Sequence, residues 1–513
     1  MQRLSWSPGR WLMVGLLAMM CAGAVVLYQP ACTPRDEREQ RFFACRIAWE
    51  CTFDALSAAC GAGLLTRDIR DGYSPAGRWV LWTLGELGAL LYLTTAVQLA
   101  RRFPQTYAGL PSGTAASAAA SGGAKDRNAR PAIPTRPLRA AWIGVAAGAF
   151  VLMQLLLTLG VYAAGRFICP QVNLAETAWL VGVAFASLGF VPQPVEAGTA
   201  AMLAAVGWVS ALGWTVWLCL LPPLARRVVV IRGVLLLAAV YTLYLLAAGG
   251  LICVLETPRA AGQTSGFRVQ GSVEPRTAAK VLHDEPSVGG RARRSLVLAV
   301  CAASAGIPTE PLQDPGVRDG TKAVLAGLLL VGGLGGSVTG GVRFLALLSA
   351  MLFALRFAAR PNARALRSLG TAATTTNAAT SGSSEAGARS VDWMAQLGAR
   401  LLLLLLGLTL ATALGLLVIE NLTASRFQPA PSFADALLDG ASAVCGGNLS
   451  GGVTAAVTGR NLVRGLGLGL DQYQAGMLWL MLAVLAGRLL PLWLLGQEAR
   501  APAPSMSHSE SPE

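Results

Sequence analysis

Four times along this chain an apolar run long enough to cross a bilayer is followed by an outer segment, a short semi-polar stretch of small residues, and a second apolar run. The short stretches are FDALSAACGAGLL (53–65), TAWLVGVAFASLGF (177–190), SLVLAVCAASAGIP (295–308) and FADALLDGASAVCGGNLSGG (433–452). Each is too brief to span a hydrocarbon core, which takes roughly 20 apolar residues. Each ends in small, turn-permissive residues, as a half-helix does when it enters a membrane and returns as extended backbone. The first and fourth are copies of one another: SAACGAGL from Ser57 and SAVCGGNL from Ser442 agree at five of eight positions. A period of this kind fixes the architecture before any single residue is considered.

The flanking runs are 11–28, 77–100, 140–164, 199–224, 229–254, 321–358, 398–419 and 474–496, eight in all. Only 13% of residues are charged and the mean hydropathy is +0.53. Soluble domains carry about 25% charged residues, so the expected fold class is an all-α integral membrane protein, and the repeats make it a pseudo-fourfold arrangement of four helix–loop–helix units whose short loops are candidate pore loops. The repeats are expected at 1–102, 137–227, 228–360 and 397–498. Flexible cytoplasmic linkers at 103–136 and 361–396, rich in Ala, Gly, Ser and Thr, and a polar tail at 499–513 complete the chain. The amino-terminal run reads as a retained helix, with a signal peptide as the alternative.

A net charge of +14 invites a nucleic-acid partner, but the cations are arranged for a membrane. Arg101, Arg102, Lys125, Arg127, Arg130, Arg136 and Arg139 share one loop, and Arg226, Arg227 and Arg232 follow in the next on that side. Arg356, Arg360, Arg364 and Arg367 form a third group. The positive-inside rule makes these loops and both termini cytoplasmic. Arg291, Arg293 and Arg294 conflict with that pattern on the outer side. No cysteine pair has metal-ligand spacing, and only His283 and His508 are present. Cys32, Cys45 and Cys51 fall in one outer loop, where oxidation to a disulfide is an open alternative.

The sixth run is broken at 331–343, VGGLGGSVTGGVR, where six of thirteen residues are glycine. Irregular backbone at membrane depth is tolerated where it lines water or is buried in protein. A permeation path and a small-residue packing face both fit. A pore for a bare cation replaces the hydration shell with inward-pointing carbonyls, which need glycine's freedom of φ and ψ. Half-helices aim the negative ends of their dipoles at such an ion, and a single chain with four unlike copies supplies the ring that a tetramer otherwise would.

With these segments in view, nearly the whole chain, about 11–497, resembles the Trk/Ktr/HKT superfamily of potassium and sodium transporters. VGGLGGSVTGGVRF is similar to that family's GGxxGSTxGGxK gate segment, with Val338 in place of threonine and Arg343 in place of lysine. The resemblance implies a gate loop of Gly332, Gly333, Gly335, Gly336, Ser337, Gly340, Gly341 and Arg343. It implies filter glycines at Gly63, Gly189 and Gly306. In the fourth loop, matching to the first repeat puts Asn448 at that position, whereas counting from Phe433 puts Gly447 there. Asparagine tolerates the left-handed region better than other non-glycine residues.

AGRLLPL (486–492) resembles the family's GRxxPL, with Arg488 as a basic residue near the pore. Snorkelling from a helix end is the other reading of Arg488. Glu86 is a carboxylate deep in an apolar run, without an assigned role. The implied activity is potassium-type cation transport across the plasma membrane, with a sodium-permeable or unselective transporter, or a non-conducting regulatory relative, as alternatives. The implied partners are the lipid bilayer, a second copy of the chain in a homodimer and a cytosolic nucleotide-binding regulatory subunit, with no nucleic acid. No cofactor is expected beyond the permeating potassium or sodium ion, and no catalytic group. Secondary transport by inverted repeats and membrane-embedded enzyme chemistry fit less well, because the repeats are parallel and HExxH and GxSxG are absent.

Overall fold

A computed structural model describes residues 8–34, 44–67, 69–100, 138–168, 173–191, 195–220, 228–257, 287–304, 306–310, 312, 317–334, 344, 347–348, 351, 381–423, 431–453 and 472–498. No strand occurs among them. Twelve helices run through these residues, and they group in threes. The first three are α1 (Pro8–Leu27), α2 (Ala44–Ala59) and α3 (Pro75–Ala100). Next come α4 (Leu138–Ile168), α5 (Leu174–Phe185) and α6 (Ala197–Leu220). The third group is α7 (Val228–Leu255), α8 (Val288–Ser304) and α9 (Asp319–Val331). The fourth is α10 (Ser381–Thr423), α11 (Phe433–Cys445) and α12 (Gln472–Glu498).

Within each group the three helices pack on one another, and each group's last helix also packs on the next group: α3 on α4 and α5, α6 on α7 and α8, α9 on α10 and α11, α12 on α1 and α2. The chain therefore closes into a ring of four helix–half-helix–helix units. Its apolar surface is arranged for lipid. The short middle helices are buried, with Val181, Val183, Ala184 and Phe185 of α5 and Ala441, Val444 and Cys445 of α11 at or below 1% exposure. The long helices instead turn large apolar side chains outward, among them Leu156, Leu236, Leu243, Leu403 and Val418. In water such a surface would drive aggregation; against hydrocarbon it is the stable outside. The protein is a multi-pass membrane protein.

Among the described residues, five helical segments are long and apolar enough to cross a membrane: Gly9–Leu27, Gly144–Arg166, Leu235–Leu255, Gln396–Asn421 and Ala475–Gln497. The three other expected runs are the second helices of the first three units. In α3 the apolar run carries Arg78, Glu86 and several Gly, Thr and Trp residues. In α6 it breaks at Gly213 (φ 77°, ψ 162°), and α9 ends at Gly332 (φ 64°). One linker expectation is corrected: α10 starts at Ser381, so 381–396 is helix rather than flexible linker. Its residues EAGARSVDWMAQLGAR are mostly good helix formers, and they run without a breaker into the apolar span. The 103–136 linker and the 499–513 tail lie outside the described residues.

Different polar contacts fasten the units. Between the first and second, Gln154 Nε2 donates to Glu86 Oε1 at 2.8 Å, so the partner of this deep carboxylate is an amide rather than a base. Between the second and third, the break in α6 frees the Ala211 carbonyl to accept from the Leu334 N–H (2.8 Å). Between the third and fourth, Lys322 of α9 pairs with Asp435 of α11 at 2.5 Å, with both side chains largely buried. Asp435 is also the third helical residue of a capping box with Ser432. Cys32, Cys45 and Cys51 carry no disulfide.

Replacing Asp435 by Ala leaves the Lys322 ammonium buried without its carboxylate, a class of change that costs about 3–5 kcal/mol. D435A should therefore melt well below the parent in detergent, and adding K322M should recover much of the loss. Equal melting temperatures for parent and D435A would refute the clasp.

Candidate functional site

The site lies where the four half-helices end. A half-helix that stops inside a protein leaves its last carbonyls without intrahelical partners. Loops 1 and 2 close in the same way: Ala62 N–H donates to Ser57 O (2.8 Å), and Leu188 N–H to Val183 O (2.9 Å). These five-residue closures require a left-handed turn. Gly61 (φ 62°) supplies it in loop 1 and Ser187 (φ 58°) in loop 2, and two residues further on Gly63 (φ 70°) and Gly189 (φ 77°) take a second positive φ. Ser187 is the one non-glycine residue in that region among the described residues. In loop 3, Gly306 has φ 61°.

The three sequence-expected glycines thus share one conformation, and they come together at one point. A Cβ placed on Gly63 would strike the Leu188 carbonyl, and one on Gly306 would strike the Gly447 Cα. On Gly189 it would lie 2.7 Å from Asn448 Cβ and 2.8 Å from Gly306 O. Backbone meets backbone here with no room for a side chain.

Loop 4 differs. Gly446 adopts φ 80°, at the position equivalent to Gly61, but neither Gly447 nor Asn448 enters the left-handed region. The conformation that asparagine would tolerate is not used. Instead loop 4 presents donors to its three neighbours. Gly447 N–H reaches Ala62 O (3.1 Å), Asn448 N–H reaches Gly306 O (2.7 Å), and Asn448 Nδ2 reaches Gly189 O (3.2 Å).

Next to this junction lies Arg488 of α12, 7% exposed and therefore not snorkelling. Its Nε donates to Cys60 O at 2.6 Å and its Nη2 to Gly61 O at 3.2 Å, while the guanidinium lies 5.3 Å from the centre of the Tyr92 ring. A resident cation thus sits at the carboxyl end of the first half-helix, where the helix dipole favours positive charge.

Two buried acids absent from the small-residue motifs hold the extended segments that return from loops 1 and 4. Asp54 accepts from the N–H (2.8 Å) and hydroxyl (2.7 Å) of Thr66 and from the Tyr73 hydroxyl. Asp439 accepts from Gly451 N–H (2.5 Å) and the Ser450 hydroxyl (3.1 Å). Both are fully buried. The alignment that pairs Ser57 with Ser442 also pairs Asp54 with Asp439, so the signal was present in the sequence.

Of the glycine-rich break, Gly332 and Gly333 are described. The Gly332 carbonyl accepts from the Tyr241 hydroxyl at 3.5 Å. Gly333 O accepts from Phe344 N–H at 3.0 Å, which draws the two ends of the loop together. Phe344 packs between Tyr241 and Tyr244, with ring centres 5.4 and 5.3 Å away. Gly335, Gly336, Ser337, Gly340, Gly341 and Arg343 lie outside the described residues.

Compared with solved structures, the chain matches the crystal structure of the potassium transporter TrkH from Vibrio parahaemolyticus, with a TM-score of 0.54 over 96% of this chain and 85% of that one. The fold is TrkH-like. Sequence identity to TrkH is 14%. No protein-family model matches the sequence, and no curated protein matches it significantly.

An alanine at Gly63 or Gly189 forces a Cβ into neighbouring backbone at a φ that costs an ordinary residue roughly 1–2 kcal/mol. G63A and G189A should each lower the melting temperature in detergent. G144A, whose Cβ meets no neighbour within 4 Å, should not. Unchanged melting of G63A and G189A would show that the junction is not packed as described.

Proposed function

We propose that this chain passes monovalent cations, potassium first among them, across the plasma membrane through the junction of its four re-entrant loops. The observation that carries the reading is the meeting of Gly63, Gly189 and Gly306 at one point with a common left-handed conformation (φ 70°, 77° and 61°). That conformation at the end of a half-helix is what a carbonyl filter needs, since its oxygens replace an ion's hydration shell. Four half-helices also bring the negative ends of four dipoles to one place, a field that favours cations. The solved relative in fold is named a potassium transporter, which supports potassium as the cargo.

In this reading Gly63, Gly189, Gly306 and the 447–448 segment form the filter, and Arg488 is the basic group beside it. The broken segment 331–343 is the gate, tied at its base to Ala211, Tyr241 and Phe344. Assembly as a homodimer, with a cytosolic nucleotide-binding subunit on the arginine-rich inner face, belongs to the same reading and rests on the family resemblance.

The test is ion uptake by proteoliposomes of the purified protein, with potassium, rubidium and sodium compared. Potassium and rubidium uptake well above sodium is the expected result. Equal sodium uptake would establish an unselective path. Uptake of none of the three, in the parent or in any variant of the filter loops, would overturn the reading.

A further inference from the structure

The fourth loop stands to the other three as an ion would. In loops 1 to 3 the junction offers acceptors: the carbonyls of Ala62, Gly189 and Gly306. Each of these oxygens is held by a donor from loop 4, namely Gly447 N–H, Asn448 Nδ2 and Asn448 N–H. A ring of carbonyls binds a bare cation because their oxygens have no better partner. Here each of loops 1 to 3 gives at least one oxygen to loop 4 of the same chain.

The local cause lies at Asn448. Glycine at the equivalent position in loops 1 to 3 takes up the left-handed conformation, whereas Asn448 does not. The peptide joining Gly447 to Asn448 therefore turns its N–H, rather than its carbonyl, toward Gly306. The Asn448 carboxamide then extends across to Gly189 and supplies a further donor. Arg488 adds to the effect by holding Cys60 O and Gly61 O, so that three successive carbonyls of loop 1 are taken.

We propose that loop 4, through Gly447 and Asn448, is a built-in occupant of the filter, which a cation must displace before it can pass. This rests on the junction being a cation path, and it adds where that path is closed and by which residue. The closure is at the filter itself, separate from the glycine-rich break at 331–343. A neutral amide hydrogen bond is weak enough to be exchanged for cation coordination, so the occupant is displaceable rather than permanent.

The test compares wild type, N448G and N448D, purified and reconstituted in proteoliposomes. N448G removes the donor to Gly189 O and permits a left-handed turn. Initial rubidium uptake should rise about tenfold, with half-saturation at lower rubidium. N448D exchanges the Nδ2 donor for a carboxylate oxygen, so that two acceptors face each other and a cation is the group that satisfies both. Rubidium should then raise the melting temperature of N448D and leave that of wild type unchanged. If N448G does not elute as folded protein, N448S carries the uptake comparison.

Wild-type uptake equal to that of N448G, with wild type stabilised by rubidium as strongly as N448D, would overturn the occupant while leaving the cation path standing. A different pattern overturns the path and the occupant together: no uptake by any folded variant, and no rubidium stabilisation of N448D.

Discussion

Everything in this protein depends on finding partners for backbone carbonyls that lie away from water. A spanning helix satisfies its own backbone, but a half-helix followed by a returning extended segment does not, and each orphaned group in a dry interior costs several kcal/mol. Four such half-helices cannot be stable singly. Brought into one ring, they satisfy each other: loop 4 bonds to loops 1, 2 and 3, and Arg488 covers the end of loop 1. The closing of the ring and the satisfaction of the loops are one event. This also explains why the short helices are the most deeply buried part of the chain, while the long ones turn leucine and valine outward.

The seams between units are fastened by different means: a carboxyl–amide bond at Glu86 and Gln154, a backbone bond from Leu334 to the break in α6, and a buried ion pair at Lys322 and Asp435. The fourth seam is Arg488 against the end of loop 1. None of these is a copy of another. What the units share is geometry at the half-helix ends, where glycine is the residue that matters. Outside that point the sequence has been free to use whatever polar contact suits each interface.

Much of the architecture was legible beforehand, for a physical reason. Apolar runs of spanning length, short semi-polar stretches and the recurrence of small residues after them are patterns of composition, and composition survives when sequence identity is low. Gly63, Gly189 and Gly306 share a positive φ and lie together, and a left-handed turn in three related positions leaves few choices of residue. Asp54 and Asp439 stand at equivalent positions in the first-to-fourth alignment, but an acid three residues before a small-residue motif does not by itself reveal that it folds back to hold the segment after it. The break at Gly213 was not legible, because a lone glycine in an apolar helix is common and only the carbonyl it frees gives it meaning. The conformation of Asn448 was not legible either. Asparagine is compatible with the left-handed region and with the alternative, and its observed conformation goes with two acceptors on distant parts of the chain, Gly306 O and Gly189 O.

The covalent continuity of the four units has a consequence for how this junction changes over time. In a ring of identical subunits one altered codon alters every quarter at once, so an intermediate composition is never sampled. Here a substitution at position 448 alters one wall of the junction directly and reaches the three glycines through the contacts Asn448 makes with them, while their own codons stay unchanged. A chain built this way can change its junction a quarter at a time, with three quarters of unaltered sequence around the one that varies.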